Sequence, residues 1–114
     1  MTACESLRNG PILLDLTSHQ LFVEGEFVKL TPKEYRLLEL FVMNRGKTIP
    51  HEQILREVWG LSHIDDIQYL RVYLCQIRMK LAKWPAVARC ITSEFRVGYR
   101  MEILEDDTPP EPEP

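Results

Sequence analysis

The chain has 114 residues, 45% of them apolar and 27% charged, with a formal net charge of −3. This length fits one small domain, and the composition excludes a chain that is disordered throughout. The three cysteines have no metal-ligand spacing, so neither a disulfide framework nor a zinc site is expected. Neither a signal peptide nor an apolar run of membrane-spanning length is present. We therefore expect a soluble cytoplasmic protein.

The charge is distributed unevenly along the chain. The last ten residues, EDDTPPEPEP, hold five acids and four prolines and no apolar side chain. Residues 105–114 are therefore predicted to form a disordered acidic tail that either solubilises the protein or weakens non-specific binding to polyanions. Between Gln68 and Arg100, by contrast, seven basic residues accompany Glu94 alone, which gives a local charge of +6. Such a segment suits a polyanionic partner.

The first half of the chain predicts a small sheet followed by a helix. Short apolar runs in residues 12–30, separated by a tight turn at Glu24-Gly25, indicate antiparallel strands. The segment TPKE, which starts at Thr31, supplies a capping threonine, a proline at the first helical position and a glutamate three residues after the cap. Helical apolar spacing then continues toward a stop at Gly46. Residues 47–50 are predicted to be a connector or a short strand.

Two further helices and a hairpin follow. A short helix is predicted over residues 51–59, and a longer one over residues 67–83. In the longer helix, apolar side chains at steps of three and four residues form one core stripe: Ile67, Leu70, Leu74, Ile77 and Leu81. The opposite face has amides, cations and small apolar groups but no acid: Gln68, Tyr69, Val72, Cys75, Gln76, Met79, Lys80 and Lys83, with Arg71 and Arg78 beside the stripe. The β-favouring residues 88–103 predict a terminal hairpin.

This outer face suits the major groove of DNA. A glutamine can pair with adenine through two hydrogen bonds, and Val72 or Met79 can contact a thymine methyl group. Together, the helices and the terminal hairpin form a helix-turn-helix with a wing. The sequence thus predicts an α+β winged helix-turn-helix domain in residues 12–104 that binds double-stranded DNA, with residues 1–11 as an extension or linker remnant.

The alternatives are a solvated surface helix without a DNA partner and a winged-helix module that binds protein. The protein-binding module would use the loop of residues 60–66 with Tyr69 and Tyr73. An enzyme is not expected, because the sequence has no paired carboxylates, glycine-rich phosphate loop or nucleophile motif. Surface or capping roles are expected for His19, His51 and His63, which lack ligand spacing, and no metal or cofactor is expected.

The run LTPKEYRLLELFVMNRGKTIPHEQILREVWG, with IRMKL and VGYR further on, resembles the DNA-binding effector domain of OmpR/PhoB-class two-component response regulators. The resemblance covers about residues 12–104. Within this class, YLRVYLCQIRMKL is most similar to regulators of the Kdp potassium-transport system, because Arg71 stands where most members have an aspartate. The resemblance implies transcription regulation by a domain with a four-stranded N-terminal sheet, three helices and a C-terminal hairpin.

The resemblance also implies residue roles. Groove- or phosphate-facing positions of the recognition helix match Gln68, Tyr69, Tyr73, Cys75, Gln76 and Arg78. Wing positions that meet the DNA backbone or the minor groove match Ser93, Arg96 and Tyr99. The loop that approaches RNA polymerase in this class matches Trp59, Gly60, Leu61, Ser62, His63, Ile64, Asp65 and Asp66.

Several of these positions have more than one interpretation. We expect Trp59 and Tyr99 to pack among apolar residues, although the polar end of each side chain could contact a phosphate. The sequence favours a phosphate contact and an internal ion pair equally for Arg100. The chain also departs from the class, because Arg96 stands where the hairpin usually has glycine and Cys75 where several members have arginine.

Regulators of this class normally carry an N-terminal receiver domain, and 114 residues cannot hold one as well. The chain is either an effector domain separated from its receiver, which we favour, or a protein controlled from elsewhere. The resemblance further implies a sensor kinase for the full-length protein and a head-to-tail dimer on direct-repeat half-sites about one helical turn apart.

Overall fold

A computed structural model describes residues 6–60, 67–94 and 96–104 of the chain. Its elements are β1 (Ser6–Asn9), β2 (Ile12–Asp15), β3 (Gln20–Val23), β4 (Glu26–Val28), α1 (Pro32–Met43), β5 (Thr48–Pro50), α2 (His51–Trp59), α3 (Ile67–Lys80), α4 (Pro85–Ala88), β6 (Ile91–Glu94) and β7 (Gly98–Met101). The predicted acidic tail and residues 61–66 of the predicted polymerase loop lie outside the described residues. No described helix has the length and apolar character needed to cross a membrane.

The first four strands form an antiparallel sheet in the order β1-β2-β3-β4. Its inward face buries alternate apolar residues of β2 and β3, namely Ile12, Leu14, Leu21 and Val23. Glu24 and Gly25 connect β3 to β4 with φ values of 53° and 82°, the two positive angles that a type I′ hairpin turn requires. Because β1 pairs with β2 along its whole length, residues 6–9 belong to the sheet and not to the extension predicted for residues 1–11.

Helix α1 begins with the predicted capping box. The Thr31 hydroxyl accepts a hydrogen bond from the Glu34 amide at 3.3 Å, and the Glu34 carboxylate accepts one from the Thr31 amide at 2.9 Å. These two bonds satisfy amide groups that a helix otherwise leaves unpaired at its start. The helix buries one face against the sheet and the other helices, with Tyr35, Leu37, Leu38, Phe41 and Val42 in the core.

Of the predicted stripe, Leu70, Leu74 and Ile77 of α3 and Leu81 just after it are almost fully buried, whereas Ile67 at the helix start is partly buried. The helix ends at Lys80, three residues before the predicted end at residue 83, and the amides of Leu81 and Ala82 donate in turns to the carbonyl oxygens of Arg78 and Met79. Trp84, the residue before Pro85, has φ −120° and ψ 86°, so the helix could not have continued past residue 83. Pro85 then opens α4, a one-turn helix that the sequence pattern did not predict.

A second antiparallel sheet has the order β5-β7-β6, so residues 48–50 form a strand rather than a connector. β6 and β7 form the predicted C-terminal hairpin, the wing, and β5 pairs with β7 through partners such as Ile49 and Tyr99. The end of β1 also meets the segment that follows β7. The side-chain amide of buried Asn9 donates to the Glu102 carbonyl oxygen at 3.0 Å, and its oxygen accepts from the Leu104 amide at 2.8 Å.

We expect a Gly98→Ala substitution to destabilise the domain by about 2 kcal/mol or more, because overpacking against rigid backbone costs this much. An added Cβ at Gly98 would lie 1.8 Å from the Ile49 carbonyl oxygen, so β5 and β7 would have to separate. Gly25→Ala is the matched control, because a Cβ there meets nothing within 4 Å and only the positive φ is unfavourable. Urea denaturation measures both variants, and equal losses of stability would contradict the packing argument.

Candidate nucleic-acid interface

The outer face of α3 projects away from the core. Gln68, Cys75 and Gln76 are exposed. Large apolar side chains accompany them, with Val72 51% and Met79 71% exposed, and Tyr69 is half exposed. Val72, Gln76 and Met79 recur at steps of four and three residues, so they form one continuous strip along the helix. An apolar strip with one central amide is unusual for a solvated helix and complementary to base edges and thymine methyl groups.

Four other predicted interface residues make packing or structural contacts. The rings of Trp59 and Tyr73 meet edge to face, with centroids 5.1 Å apart, and both side chains are half-buried. This contact joins the end of α2 to α3. The Arg78 guanidinium donates to the Ile91 carbonyl oxygen at 2.8 Å and so connects α3 to the wing. Gly60 caps α2, and its amide donates to the carbonyl oxygens of Leu55 and Arg56.

Lys80 and Lys83 point toward acidic residues of the protein. The Lys80 ammonium forms an ion pair with Glu34, whose carboxylate is 1% exposed. The Lys83 ammonium lies 2.7 and 2.8 Å from the two carboxylate oxygens of Glu26 and 5.5 Å from the centre of the Trp84 ring. Both residues therefore have acidic partners in the free protein, and their role as DNA-facing residues stays a prediction.

The wing divides its residues between the surface and the interior. Ser93 and Arg96 are exposed. Arg96 has a φ of +64°, the left-handed conformation that explains why a glycine is usual at this place in the hairpin. Tyr99 is 6% exposed and packs edge to face against His51 at a centroid distance of 5.3 Å. Arg100 forms ion pairs with Glu94 at 3.1 Å and Glu102 at 2.9 Å, so the internal alternative holds for this residue.

A cleft of about 600 Å³ lies where the start of α2, the start of α3 and the wing converge. Its lining combines two guanidinium groups, a hydroxyl and two rings with one aliphatic side chain: His51, Ile67, Arg71, Ser93, Arg96 and Tyr99. The His51 amide donates to the Val97 carbonyl oxygen at 3.1 Å, which holds the helix start against the wing. Such a set of donors is suited to an anionic oxygen group such as a phosphate.

His51 belongs to this cleft although no motif indicated it. Burial, and to a lesser extent the positive charge of Arg71, lower the pKa of the imidazole. Sequence reasoning assigned His51 a surface or capping role, because its neighbours in the cleft come from elements 16 or more positions away in the chain. Val97, 53% exposed in the turn of the wing, was also not predicted as an interface residue.

The two described cysteines differ in their burial. Cys75 is exposed on the outer face, whereas Cys90 is buried, and burial raises the pKa of the Cys90 thiol to about 11. Both are free thiols. Among the described residues, no cluster of three or more His, Cys, Asp and Glu side chains could hold a metal ion.

A sheet, a three-helix core with an exposed third helix, and a terminal hairpin define the winged-helix class of domains. Comparison with known proteins agrees. The Klebsiella pneumoniae RstA DNA-binding domain, solved in complex with the RstA box, superposes with a TM-score of 0.75 at 19% identity, covering 86% of this chain and 97% of that domain. This match confirms the predicted α+β winged-helix fold.

The family model for the C-terminal domain of transcriptional regulatory proteins matches residues 25–101, and the chain belongs to this family. It is 39% identical over 89 residues to the transcriptional regulatory protein KdpE of Mycobacterium tuberculosis (strain ATCC 25618 / H37Rv), covering 78% of this chain and 39% of KdpE. It is 37% identical over 92 residues to KdpE of Escherichia coli (strain K12), covering 81% and 41% respectively.

These relatives confirm the resemblance to OmpR/PhoB-class regulators and to the Kdp regulators among them. The chain spans about two fifths of the length of the curated relatives it matches. The family is one of transcription-regulator DNA-binding domains rather than a class of enzymes.

The ion pairs of Lys80, at the end of α3, and of Lys83, just after it, can be compared by substitution. We expect Lys80→Met to lower stability by roughly 2 kcal/mol, because it leaves the buried Glu34 carboxylate without its counter-charge, and by less than for a fully buried pair because Lys80 is 34% exposed. Lys83→Met removes a pair whose side chains are 63% and 51% exposed and should cost less than about 1 kcal/mol. Thermal unfolding compares the variants. Equal losses of stability would contradict the argument that burial makes the Lys80 pair contribute more than the Lys83 pair. A loss of DNA affinity without a loss of stability would support Lys80 as a DNA-contact residue.

Proposed function

We propose that this domain binds double-stranded DNA in a sequence-specific manner and regulates transcription as the effector domain of a two-component response regulator. In this proposal, α3 enters the major groove and the wing lies against the adjacent backbone and minor groove. The observation that carries it is the outer face of α3, where exposed Val72, Gln76 and Met79 form a strip without acids. The fold shared with RstA, which was solved in complex with the RstA box, supports the same mode.

Base recognition is assigned to the strip on α3. The Gln76 amide has a donor and an acceptor in one plane, the pattern that an adenine edge matches in the major groove. Val72 and Met79 flank it and can exclude water beside a thymine methyl group. Gln68 extends the same face toward the helix start, and Cys75 lies beside Gln76. Tyr69 lies beside this strip and is half exposed.

Phosphate contacts are assigned to the cleft between α3 and the wing. Arg71 and Arg96 line it from opposite sides together with Ser93. Arg78 and Lys80 of α3 make internal contacts, as do Lys83 after the helix and Arg100 in β7. Few cations of α3 are thus directed at the DNA backbone in this proposal. We therefore expect the wing, and the shape and deformability of the DNA, to carry a large share of the specificity.

Paired substitutions separate base recognition from backbone binding. Gln76→Ala should relax base preference with a cost of about 1 to 3 kcal/mol on the preferred site and little effect on random duplexes. Arg96→Gly should weaken binding to all duplexes and reduce the slope of log K against log salt by about one, because one phosphate contact is lost. The φ of +64° at Arg96 suits glycine, so the fold is preserved in this variant.

The measurement is fluorescence anisotropy over a range of salt concentrations, with a preferred site selected from random DNA and a scrambled duplex. If the parent protein binds both duplexes equally, sequence-specific recognition is wrong. If it binds neither, and the amide signals of α3 do not shift with DNA, a protein-binding winged-helix module is favoured.

The partners of the full-length protein are also proposed from the family. They are a second copy bound head to tail on direct repeats, RNA polymerase at the loop of residues 60–66, and a receiver domain with its sensor kinase. Sedimentation with a duplex of two half-sites about one helical turn apart tests the first partner. We expect two copies per duplex at saturation, and one copy would contradict the head-to-tail dimer.

A further inference from the structure

We propose that residues 105–114 of this chain bind a cleft beside α4, the α4 cleft, with the prolines of the segment packed against the Trp84 ring. This inference goes beyond the proposed function and does not depend on DNA binding. The sequence predicts two alternative roles for this acidic segment, and neither of them includes a contact with the domain.

The α4 cleft has a volume of about 450 Å³, which lies within the range of ligand-binding pockets. Glu24 and Lys83 contribute its charged side chains. The rest of its lining is apolar: Pro11, Trp84, Pro85, Ala86, Val87 and Leu104. A groove lined by an aromatic ring and other apolar side chains is the kind of surface that binds proline-rich segments in the polyproline II conformation.

The proposed occupant begins at the edge of this cleft. Leu104 lines the cleft, and its amide donates to the Asn9 side-chain oxygen at 2.8 Å, so the point at which residues 105–114 follow is fixed there. The segment has four prolines, at positions 109, 110, 112 and 114. Ten residues of polyproline II extend about 30 Å, at about 3.1 Å per residue, so the prolines can reach Trp84 without a change in the domain.

Charge complementarity favours the same occupant. The segment has five acids, and the Lys83 ammonium lies 5.5 Å from the centre of the Trp84 ring. The Lys83 side chain is 63% exposed and that of its partner Glu26 is 51% exposed. Because such an exposed pair contributes little stability, the ammonium can also bind a carboxylate of the segment. Glu24 disfavours a carboxylate inside the cleft, so the prolines fill it and the acids lie toward Lys83.

The covalent connection at Leu104 lowers the affinity that this contact needs. A segment joined to its site by a short linker binds at an effective concentration in the millimolar range. An intrinsic dissociation constant at or below about 1 mM is therefore sufficient for the contact to be populated within one molecule.

The test compares ¹H–¹⁵N NMR spectra of the full chain and of a chain that ends at Leu104, which retains every described helix and strand. We expect removal of residues 105–114 to shift the indole signal of Trp84. The indole signal of Trp59, which packs on Tyr73 at 5.1 Å and does not line the α4 cleft, should stay in place as the internal control.

A matched pair of variants locates the contact. Ala86 and Ala82 are both exposed, but Ala86 lines the α4 cleft and Ala82 does not. In the Ala86→Glu variant, the added carboxylate repels the acids of the segment, so removal of residues 105–114 should no longer shift the Trp84 signal. In the Ala82→Glu variant, the same removal should shift this signal as it does in the parent protein.

A peptide experiment separates the prolines from the acids. The free peptide EDDTPPEPEP, added to the chain that ends at Leu104, should return the Trp84 signal toward its position in the full chain, with half-saturation at or below about 1 mM. A peptide with serine at the four proline positions should not bind. A peptide with amides in place of the five acids should bind roughly threefold more weakly, the factor that one exposed ion pair contributes.

Four results would overturn the proposal. The first is an unchanged Trp84 signal after removal of residues 105–114, and the second is equal binding by the peptide without prolines. Shifts confined to α3 and the wing would place the segment on the outer face of α3 instead. Shifts that grow with protein concentration would place it on a second copy of the chain.

Discussion

The carboxylate of Glu34 connects α1 to α3 through Lys80, which lies 46 positions further along the sequence. It accepts a hydrogen bond from the Thr31 amide at the start of α1, and it forms an ion pair with Lys80 at the end of α3. With 1% of its side chain exposed, such a charge is tolerated only because hydrogen bonds and a counter-charge offset the loss of hydration. This contact joins the start of α1 to the end of α3 and adds to the buried apolar stripe of α3, which faces the core.

Lys80 is one of several basic residues between Gln68 and Arg100 that contact the protein itself. The segment from Gln68 to Arg100 has a local charge of +6, which by itself suggests a broad cationic surface. In the folded domain, Arg78, Lys80, Lys83 and Arg100 each contact a carbonyl or carboxylate oxygen of the protein. Arg71 and Arg96 line the cleft beside the wing. The local charge of this segment is thus partly offset by acidic groups of the protein itself.

Features that depend on neighbouring residues could be predicted from the sequence. The capping box at Thr31, the turn at Glu24-Gly25 and the buried stripe of α3 each follow from spacings of a few residues, and the structure has all three. The end of α3 was misplaced because Leu81 and Lys83 continued the expected helical pattern, whereas the chain turns directly after Lys80.

The candidate site was harder to predict because it depends on long-range packing. The partners of Lys80 and Lys83 lie 46 and 57 positions away, and no local pattern distinguishes a lysine that pairs with a distant acid from one that faces DNA. His51 enters the cleft because β5, directly before it, pairs with β7. Which strands pair depends on the topology of the whole chain, and the local pattern of one sequence gives little information about it.

Asn9 joins the N-terminal sheet to the segment that follows the wing. Its side-chain amide donates to the Glu102 carbonyl oxygen and accepts from the Leu104 amide, so the end of β1 is held beside the residues directly after β7. A pulling force applied to the chain at residue 104 would therefore act first on these two hydrogen bonds and on the N-terminal sheet, which makes Asn9 a mechanical link between the two sheets.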